Sequence, residues 1–134
     1  TLFKFIFIAQ LLVFGSMSAA QIPDTQYSQG ISYITGGVGE DETRAILSEA
    51  KQWPLLLEMS QIENGRGVWI FGAMVNILND KSQSIFNAQA DGPYMLVNLG
   101  AGNYVIQASF KGVQQSKAIS IKADTSQKIS LFWK

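Results

Sequence analysis

The spacing of turn-forming residues between Gly72 and Gly112 constrains the fold of this chain more than any other feature. Ala73, Val75 and Ile77 fall on one face at a period of two, as in a strand with one buried side. Turn signals then recur at intervals of roughly ten residues, which is typical of short antiparallel strands. They are Asp80-Lys81-Ser82, Asp91-Gly92-Pro93, Gly100-Ala101-Gly102 and Lys111-Gly112. This pattern predicts consecutive hairpins of a small β-sandwich.

Three further strands are predicted in the same region. They run from Ile85 to Ala90, from Tyr94 to Leu99, and from Tyr104 onward, where the inward set is Tyr104, Ile106, Ala108 and Phe110. At Asp91-Gly92-Pro93, glycine permits a positive φ and proline lacks a backbone N–H. We therefore expect a turn or a change of sheet there.

The motifs Gly72-Ala73-x-Val75-x-Ile77, Asp91-Gly92 and Leu99-x-x-Gly102-x-Tyr104 together resemble the carboxypeptidase regulatory-like, or transthyretin-like, domain. The resemblance covers about the second half of the chain. It implies a mainly β, Greek-key sandwich of about seven strands, in which the Tyr104 hydroxyl bonds to nearby backbone. Many members have Thr and Pro where this chain has Ala90 and Ala101. The residues expected to be structural are Asp91, Gly92, Leu99, Gly102 and Tyr104.

One α-helix is predicted over about residues 39–52, before the sandwich proper at about 54–134. Acidic residues fill its first turn, where carboxylates favour the positive end of the helix dipole. Ile46, Ala50 and Trp53 share one face, and Pro54 starts the next extended run. Asn64-Gly65 then predicts a loop or a hairpin turn. We expect one domain over residues 31–134, preceded by a flexible leader at 21–30.

The N-terminal segment has the pattern of a secretory signal peptide over residues 1–20. Lys4 precedes an apolar run from Phe5 to Phe14, and the small residues Ser18, Ala19 and Ala20 follow. The run is shorter than the roughly 20 residues that cross a bilayer. We expect cleavage after Ala20, no stable membrane span after that cleavage, and a periplasmic or extracellular location. With no cysteine, neither a lipid-modified Cys nor a disulfide is available.

Charge is balanced overall but uneven along the chain. Residues 21–63 carry seven acidic and two basic side chains, whereas residues 64–134 carry three acidic and seven basic ones. Nothing here indicates nucleic acid, because the lysines are dispersed and arginine is scarce. The asymmetry favours docking of the N-terminal segment on the sandwich, with two opposed binding faces as the alternative. The lysines of the later strands favour protection of sheet edges over an anionic binding patch.

The chain lacks the residues of most catalytic sites. It has no histidine and no cysteine, which excludes Ser-His-Asp triads, cysteine nucleophiles and histidine- or thiolate-based metal sites. The hydroxyisourate hydrolases among the transthyretin-like proteins use histidines that this chain lacks, so the resemblance does not imply that activity here. It implies instead a domain that is an accessory to zinc carboxypeptidases. A carboxylate pair such as Asp80 and Asp91, with Glu58 as a third candidate acid, is the remaining enzymatic alternative. Because both aspartates fall in predicted turns, we expect no catalytic residue and no cofactor.

Glu40, Asp41 and Glu42 are the candidates for a calcium site, because they follow the flexible segment Gly36-Gly37-Val38-Gly39. A calcium loop alternates its ligands with spacer residues, whereas three adjacent acids at a helix start point in different directions around the axis. The spacing favours a helix cap over a metal site. The segment from Gly36 to Glu42 is also similar to the helix entry of small exported bacterial proteins that carry this domain.

Aromatic residues provide the best candidates for a contact surface, since they bury a large area at low entropic cost. The candidates are Trp69, Tyr94, Phe132 and Trp133. In the last strand Ile129, Leu131 and Trp133 alternate with Phe132, so we expect Trp133 to be core or rim and Phe132 to lie on the outer face.

Three classes of function remain. The first is a non-catalytic exported domain that binds a protein or a cell-envelope component through a strand edge or an aromatic face. The second is a structural or assembly factor that acts by edge-strand pairing, and a carbohydrate-binding module is a further alternative. A carboxylate-based hydrolase is the least favoured.

Overall fold

The computed structural model describes residues 21–134, so the signal peptide predicted over residues 1–20 lies outside the described residues. The described residues form a mainly β structure with ten strands in two sheets and one α-helix. In chain order the elements are β1 (Gln26–Ser28), β2 (Ile31–Gly36), α1 (Glu40–Glu49) with a 3₁₀ turn (Ala50–Gln52), β3 (Leu55–Glu63), β4 (Arg66–Trp69), β5 (Met74–Leu78), β6 (Ser84–Gln89), β7 (Tyr94–Val97), β8 (Gly102–Phe110), β9 (Val113–Ile121) and β10 (Gln127–Trp133).

The two sheets pack as a sandwich. The first has the order β1-β2-β7-β3-β10, with β4 paired to the far half of β3, and the second has the order β6-β5-β8-β9. β3 and β10 are parallel, with Leu55 opposite Gln127, and the other pairs are antiparallel. The chain therefore changes sheet between β6 and β7, at Asp91-Gly92-Pro93, as the turn residues predict.

The described residues contain ten strands, and eight of them lie within residues 54–134, where about seven were expected. Within the segment predicted to be a flexible leader, residues 26–28 instead form β1, with Gln26 opposite Tyr33 on β2. β4 is the second short strand that the sequence pattern did not predict. It follows Asn64 and Gly65, whose φ values of 51° and 77° are those of a type I′ hairpin turn.

The main core lies between the sheets and follows the period-two pattern. Ala73, Val75 and Ile77 are buried as predicted, and Ile106 and Ala108 are buried opposite them on β8. Tyr104 and Phe110, the outer members of the predicted inward set, are partly buried against this core. Each large side chain removed from water contributes about 1.5 to 3 kcal/mol.

The helix covers the outer face of the first sheet and builds a second, smaller core. Ile46 and Ala50 of the helical segment pack with Leu56 and Leu96, and Trp53 joins them from the edge. This confirms the predicted apolar stripe and places the helix as a third layer over β2, β7 and the first half of β3. Within residues 21–134 no helix has the length and apolarity that crossing a membrane requires.

Close backbone packing joins the helix layer to the sheet change. A Cβ at Gly92 would collide with the carbonyl group of Gly36, and a Cβ at Gly37 would lie 2.6 Å from the Tyr94 ring. Gly92 does not have the positive φ that we expected from the sequence. Glycine is needed there because two backbone segments touch.

A buried hydroxyl holds the same junction. Thr35 Oγ1 accepts a hydrogen bond of 2.9 Å from the backbone N–H of Asp91 and donates one of 3.1 Å to the carbonyl of Tyr94. Both ends of the Asp91–Tyr94 turn are thus bonded to one side chain of β2.

Candidate functional site

Two of the four predicted contact residues are exposed and two are buried. Trp69 is 48% exposed and Phe132 is 52% exposed, whereas Tyr94 and Trp133 are buried. Trp133 packs its ring edge-on against Phe110 at 6.0 Å, and its indole N–H donates a 2.8 Å hydrogen bond to the carbonyl of Val113. Trp133 is therefore a core residue, as the alternation in the last strand predicts, and Tyr94 does not belong to the exposed contact surface.

The sheet register brings the two exposed rings to one surface. Ser60 of β3 lies opposite Phe132 on β10 and opposite Trp69 on β4, so all three side chains point from the outer face of the first sheet. Two strand spacings separate Trp69 from Phe132, or roughly 10 Å between backbones. Ser60 lies between them and is only 5% exposed. We call this surface, formed by Trp69, Ser60 and Phe132, the aromatic face.

The aromatic face lies beyond the part of the sheet that the helix covers. The helical residue Ile46 packs with Tyr94, Leu56 and Leu96, which lie on the same outer face. The Trp69 ring lies 5.5 Å from the Tyr94 ring and so touches the end of this covered region. From Ser60 onward, the outer face of β3 has no covering element among residues 21–134.

A fixed carboxylate borders the aromatic face. Glu58 accepts a 3.0 Å hydrogen bond from the Ser130 hydroxyl and lies 3.8 Å from the Lys128 ammonium. Burial raises the pKa of the Tyr94 hydroxyl, and the neighbouring Glu58 carboxylate raises it further. Glu58 thus has three local partners, as expected of a carboxylate that orders a surface.

The three acids of the hydrolase alternative do not meet. Asp80 precedes β6 and Asp91 follows it, so six strand residues separate them by roughly 20 Å. Glu58 projects from the outer face of the other sheet. The structure does not bring these carboxylates together as an acid–base pair.

The calcium candidates are also divided among different partners. Arg44 binds Glu40 at 3.1 Å and Asp41 at 2.6 Å on the exposed side of the helix. Glu42 turns back, and its Oε1 accepts hydrogen bonds from the backbone N–H groups of Gly37 at 2.8 Å and Val38 at 3.1 Å. Glu42 thus bonds the backbone of the loop before the helix, whereas the N-cap residue, Gly39, has no side-chain hydrogen bond.

Two open clefts lie away from the aromatic face. One of about 500 Å³ lies at the end of the helical segment, beside Trp53 and Lys122. The other, of about 520 Å³, lies between the β5–β6 turn and β8, and contains Asp80 and Tyr104. Burial raises the pKa of Tyr104, and the charge of Asp80 raises it further. With no histidine or cysteine in the chain, neither cleft has a familiar nucleophile-and-base pair.

The structural residues of the predicted corner lie as expected. The Tyr104 hydroxyl donates a 2.8 Å hydrogen bond to the carbonyl of Gly100, and Leu99 is buried. Gly102 has a φ of 155° and lies beneath the Tyr104 ring. This corner fixes the start of β8 and is remote from the aromatic face.

The sequence analysis missed three exposed apolar residues beside Trp69: Ile62, Val68 and Phe71. The Asn64-Gly65 turn contained the relevant signal, because it predicts a hairpin whose arms carry Ile62 and Val68.

No protein-family model matches the chain, and a comparison with curated proteins returns no match.

Proposed function

We propose that this chain is a non-catalytic exported domain that binds a protein or a cell-envelope component through its aromatic face. The observation that carries the proposal is the pair of half-exposed rings, Trp69 and Phe132, on a sheet face that the helix leaves open. Large aromatic side chains are enriched at the centres of protein interfaces.

The exposed rings provide a physical driving force for binding. Covering the exposed half of each ring would contribute about 1 kcal/mol from area alone. The rings stand on hydrogen-bonded strands, so little backbone entropy is lost when they are covered. The Glu58 carboxylate, whose side chain is 19% exposed, supplies a hydrogen-bond acceptor beside the rings, which favours a partner with a matching donor.

The chemistry of the chain supports a role without catalysis. Histidine and cysteine are absent from the sequence, and the acids Asp80, Asp91 and Glu58 lie on separate elements. Export is proposed from the Lys4-led apolar run and the small residues that end at Ala20. Kinship with carboxypeptidase regulatory-like domains is proposed from the motifs between Gly72 and Tyr104 alone.

Site-specific photocrosslinking tests this proposal. A photoreactive phenylalanine analogue is placed at Phe132 and, as a matched control, at the equally exposed Val113 on β9. After irradiation in the native envelope, the analogue at position 132 is expected to give a discrete adduct that the analogue at position 113 does not give. Equal adducts at both positions would contradict the proposal, and an adduct with polysaccharide would replace it with the carbohydrate-binding alternative.

A second comparison tests the other ring. Trp69→Ala should reduce the yield of the position-132 adduct severalfold, because both rings contact the partner. Met74→Ala, which removes a similarly exposed apolar side chain from the other sheet, should leave the yield unchanged. Equal losses in the two variants would count against the aromatic face as the contact.

A further inference from the structure

β4 is a strand with one open side. In the described part of the chain it pairs with β3 alone, and all four of its residues are exposed. The two-residue turn makes Glu63 and Arg66 a hydrogen-bonded pair, so the bonded pairs along the hairpin alternate from there. The backbone N–H and C=O groups of Gly67 and Trp69 therefore point away from β3. No loop or turn hydrogen bond within residues 21–134 uses these groups.

The other edges of the sandwich are bridged by individual side chains. Between β1 and β6, the Ser28 hydroxyl donates to the carbonyl of Asn87 and accepts from its N–H. Between β9 and β10, Gln127 Nε2 donates to the carbonyl of Ser120 at 2.9 Å, and Trp133 donates to that of Val113. Such devices block unwanted strand pairing. Within residues 21–134 no side-chain hydrogen bond bridges β4 to another strand, and its one charged residue, Arg66, lies at the turn end.

We propose that β4 pairs with β4 of a second copy of this chain, antiparallel about a twofold axis. In the register that this assigns, Val68 lies opposite Val68 of the second copy, and Gly67 lies opposite Trp69 of the second copy. The backbone N–H and C=O groups that point away from β3 in one copy then face the same groups of the second copy. Each Gly67–Trp69 pair exchanges two backbone hydrogen bonds. The interface is isologous and closes without further growth.

Side chains on the outer face fit this register. Gly67 lies opposite Ile62 within the hairpin, and no atom lies within 4 Å of the place where a Cβ of Gly67 would stand. This leaves a gap beside the exposed Ile62. In the dimer, the indole of Trp69 from the second copy lies above Gly67 and fills the gap, as aromatic residues do beside glycines in paired strands.

The contact is short, which sets its strength. In this register three β4 residues of each copy, 67–69, pair with one another, so the interface falls in the small class that gives weak, transient association. The dimer is therefore concentration-dependent. Dimerisation through β4 is a separate property from partner binding by the aromatic face, although Trp69 belongs to both the β4 edge and the aromatic face.

Disulfide trapping tests the register. The chain has no cysteine, so Val68→Cys introduces a single thiol at a side chain that is 41% exposed. Across the axis the two Cα atoms form a non-hydrogen-bonded pair about 4.5 Å apart, a separation that a disulfide spans. Under mild oxidation, Val68→Cys is expected to give a covalent dimer at least tenfold faster than Val113→Cys on the bridged edge β9. Equal rates would overturn the proposal.

Val68→Lys supplies a second readout that needs no oxidation. It places two like charges in direct opposition on the axis, and dimerisation in sedimentation analysis should weaken roughly fivefold or more. An unchanged melting temperature of the variant shows that the chain still folds. A dimer of wild-type strength in folded Val68→Lys would overturn the proposal.

A third variant separates this dimer from partner binding. Phe132 lies two strands away from β4, on the other side of β3. Phe132→Ala should therefore leave disulfide trapping at position 68 unchanged, whatever it does to partner binding. Loss of trapping in a folded Val68→Cys/Phe132→Ala variant would overturn the β4 register.

Discussion

At the scale of single residues, Tyr104 and Gly92 occupy neighbouring parts of one motif for different physical reasons. Tyr104 donates a hydroxyl hydrogen bond to the carbonyl of Gly100 and closes the corner before β8. Gly92 lacks a side chain because the backbone of Gly36 lies against it. The first requirement is local and follows from the Leu-x-x-Gly-x-Tyr spacing, whereas the second joins residues more than 50 positions apart.

Tyr104→Phe removes only the corner hydrogen bond. We expect it to lower the free energy of unfolding by on the order of 1 kcal/mol, since the ring stays in place and the Gly100 carbonyl loses its partner. The denaturant midpoint measures the change. Tyr27→Phe is the matched control, because Tyr27 is 71% exposed and should give the wild-type midpoint. An unchanged midpoint for Tyr104→Phe would show that the hydrogen bond contributes nothing to stability.

At the scale of elements, the start of the helix shows how three adjacent acids take separate roles. Gly39 at the N-cap has no side chain to accept a hydrogen bond, so Glu42 reaches back to the preceding loop. Glu40 and Asp41 pair with Arg44 in solvent. The helix entry is thus held by a carboxylate that sits inside the first turn.

Glu42→Gln tests this arrangement. The variant keeps the shape of the side chain but loses the charged acceptor for two backbone N–H groups, and we expect a loss of about 1 kcal/mol. Glu40→Gln breaks an exposed ion pair and should cost less than about 0.5 kcal/mol. Thermal denaturation compares the two.

Calcium provides the opposing test of the same acids. We expect millimolar calcium to leave the melting temperature unchanged, because the three carboxylates do not converge. A clear upward shift would reinstate a metal site at Glu40 to Glu42.

At the scale of the whole molecule, three layers meet where Tyr94 joins the helix-covered face to the aromatic face. Its ring packs with Ile46 and Leu96 on one side and contacts Trp69 on the other. The raised pKa of Tyr94 reflects this burial first and the Glu58 carboxylate second. An ionisable hydroxyl, that of Tyr94, therefore lies where the helix-covered face meets the aromatic face.

The pH dependence of stability follows from that shift. Since the folded chain keeps Tyr94 protonated where the unfolded chain ionises, stability is fully present below the ordinary tyrosine pKa of about 10 and falls as the pH rises above it. Tyr94→Phe should show a smaller fall in the free energy of unfolding between about pH 9 and about pH 11. Urea denaturation across that range measures it. Parallel curves for wild type and Tyr94→Phe would contradict the assignment.

The pattern of turns and apolar residues was sufficient to predict the sandwich, the helix and the Tyr104 corner. Each depends on neighbours in the chain: a period of two for Ala73, Val75 and Ile77, and a period of 3.6 for Ile46 and Ala50. β1 and β4 were missed because strands of three or four residues carry too few positions for a period to show.

Sequence alone determined which side chains share a face, because alternation is a property of the local backbone. Only the tertiary structure decided which faces are covered, since the covering elements come from distant parts of the chain. Tyr94 and Trp133 are aromatic residues of the same kind as Trp69 and Phe132, yet the helix and the second sheet bury the first two and leave the others half exposed. The open side of β4 arises in the same way: β7 begins at Tyr94, opposite Glu58, and from Ser60 onward β4 takes its place beside β3 with no further neighbour among the described residues.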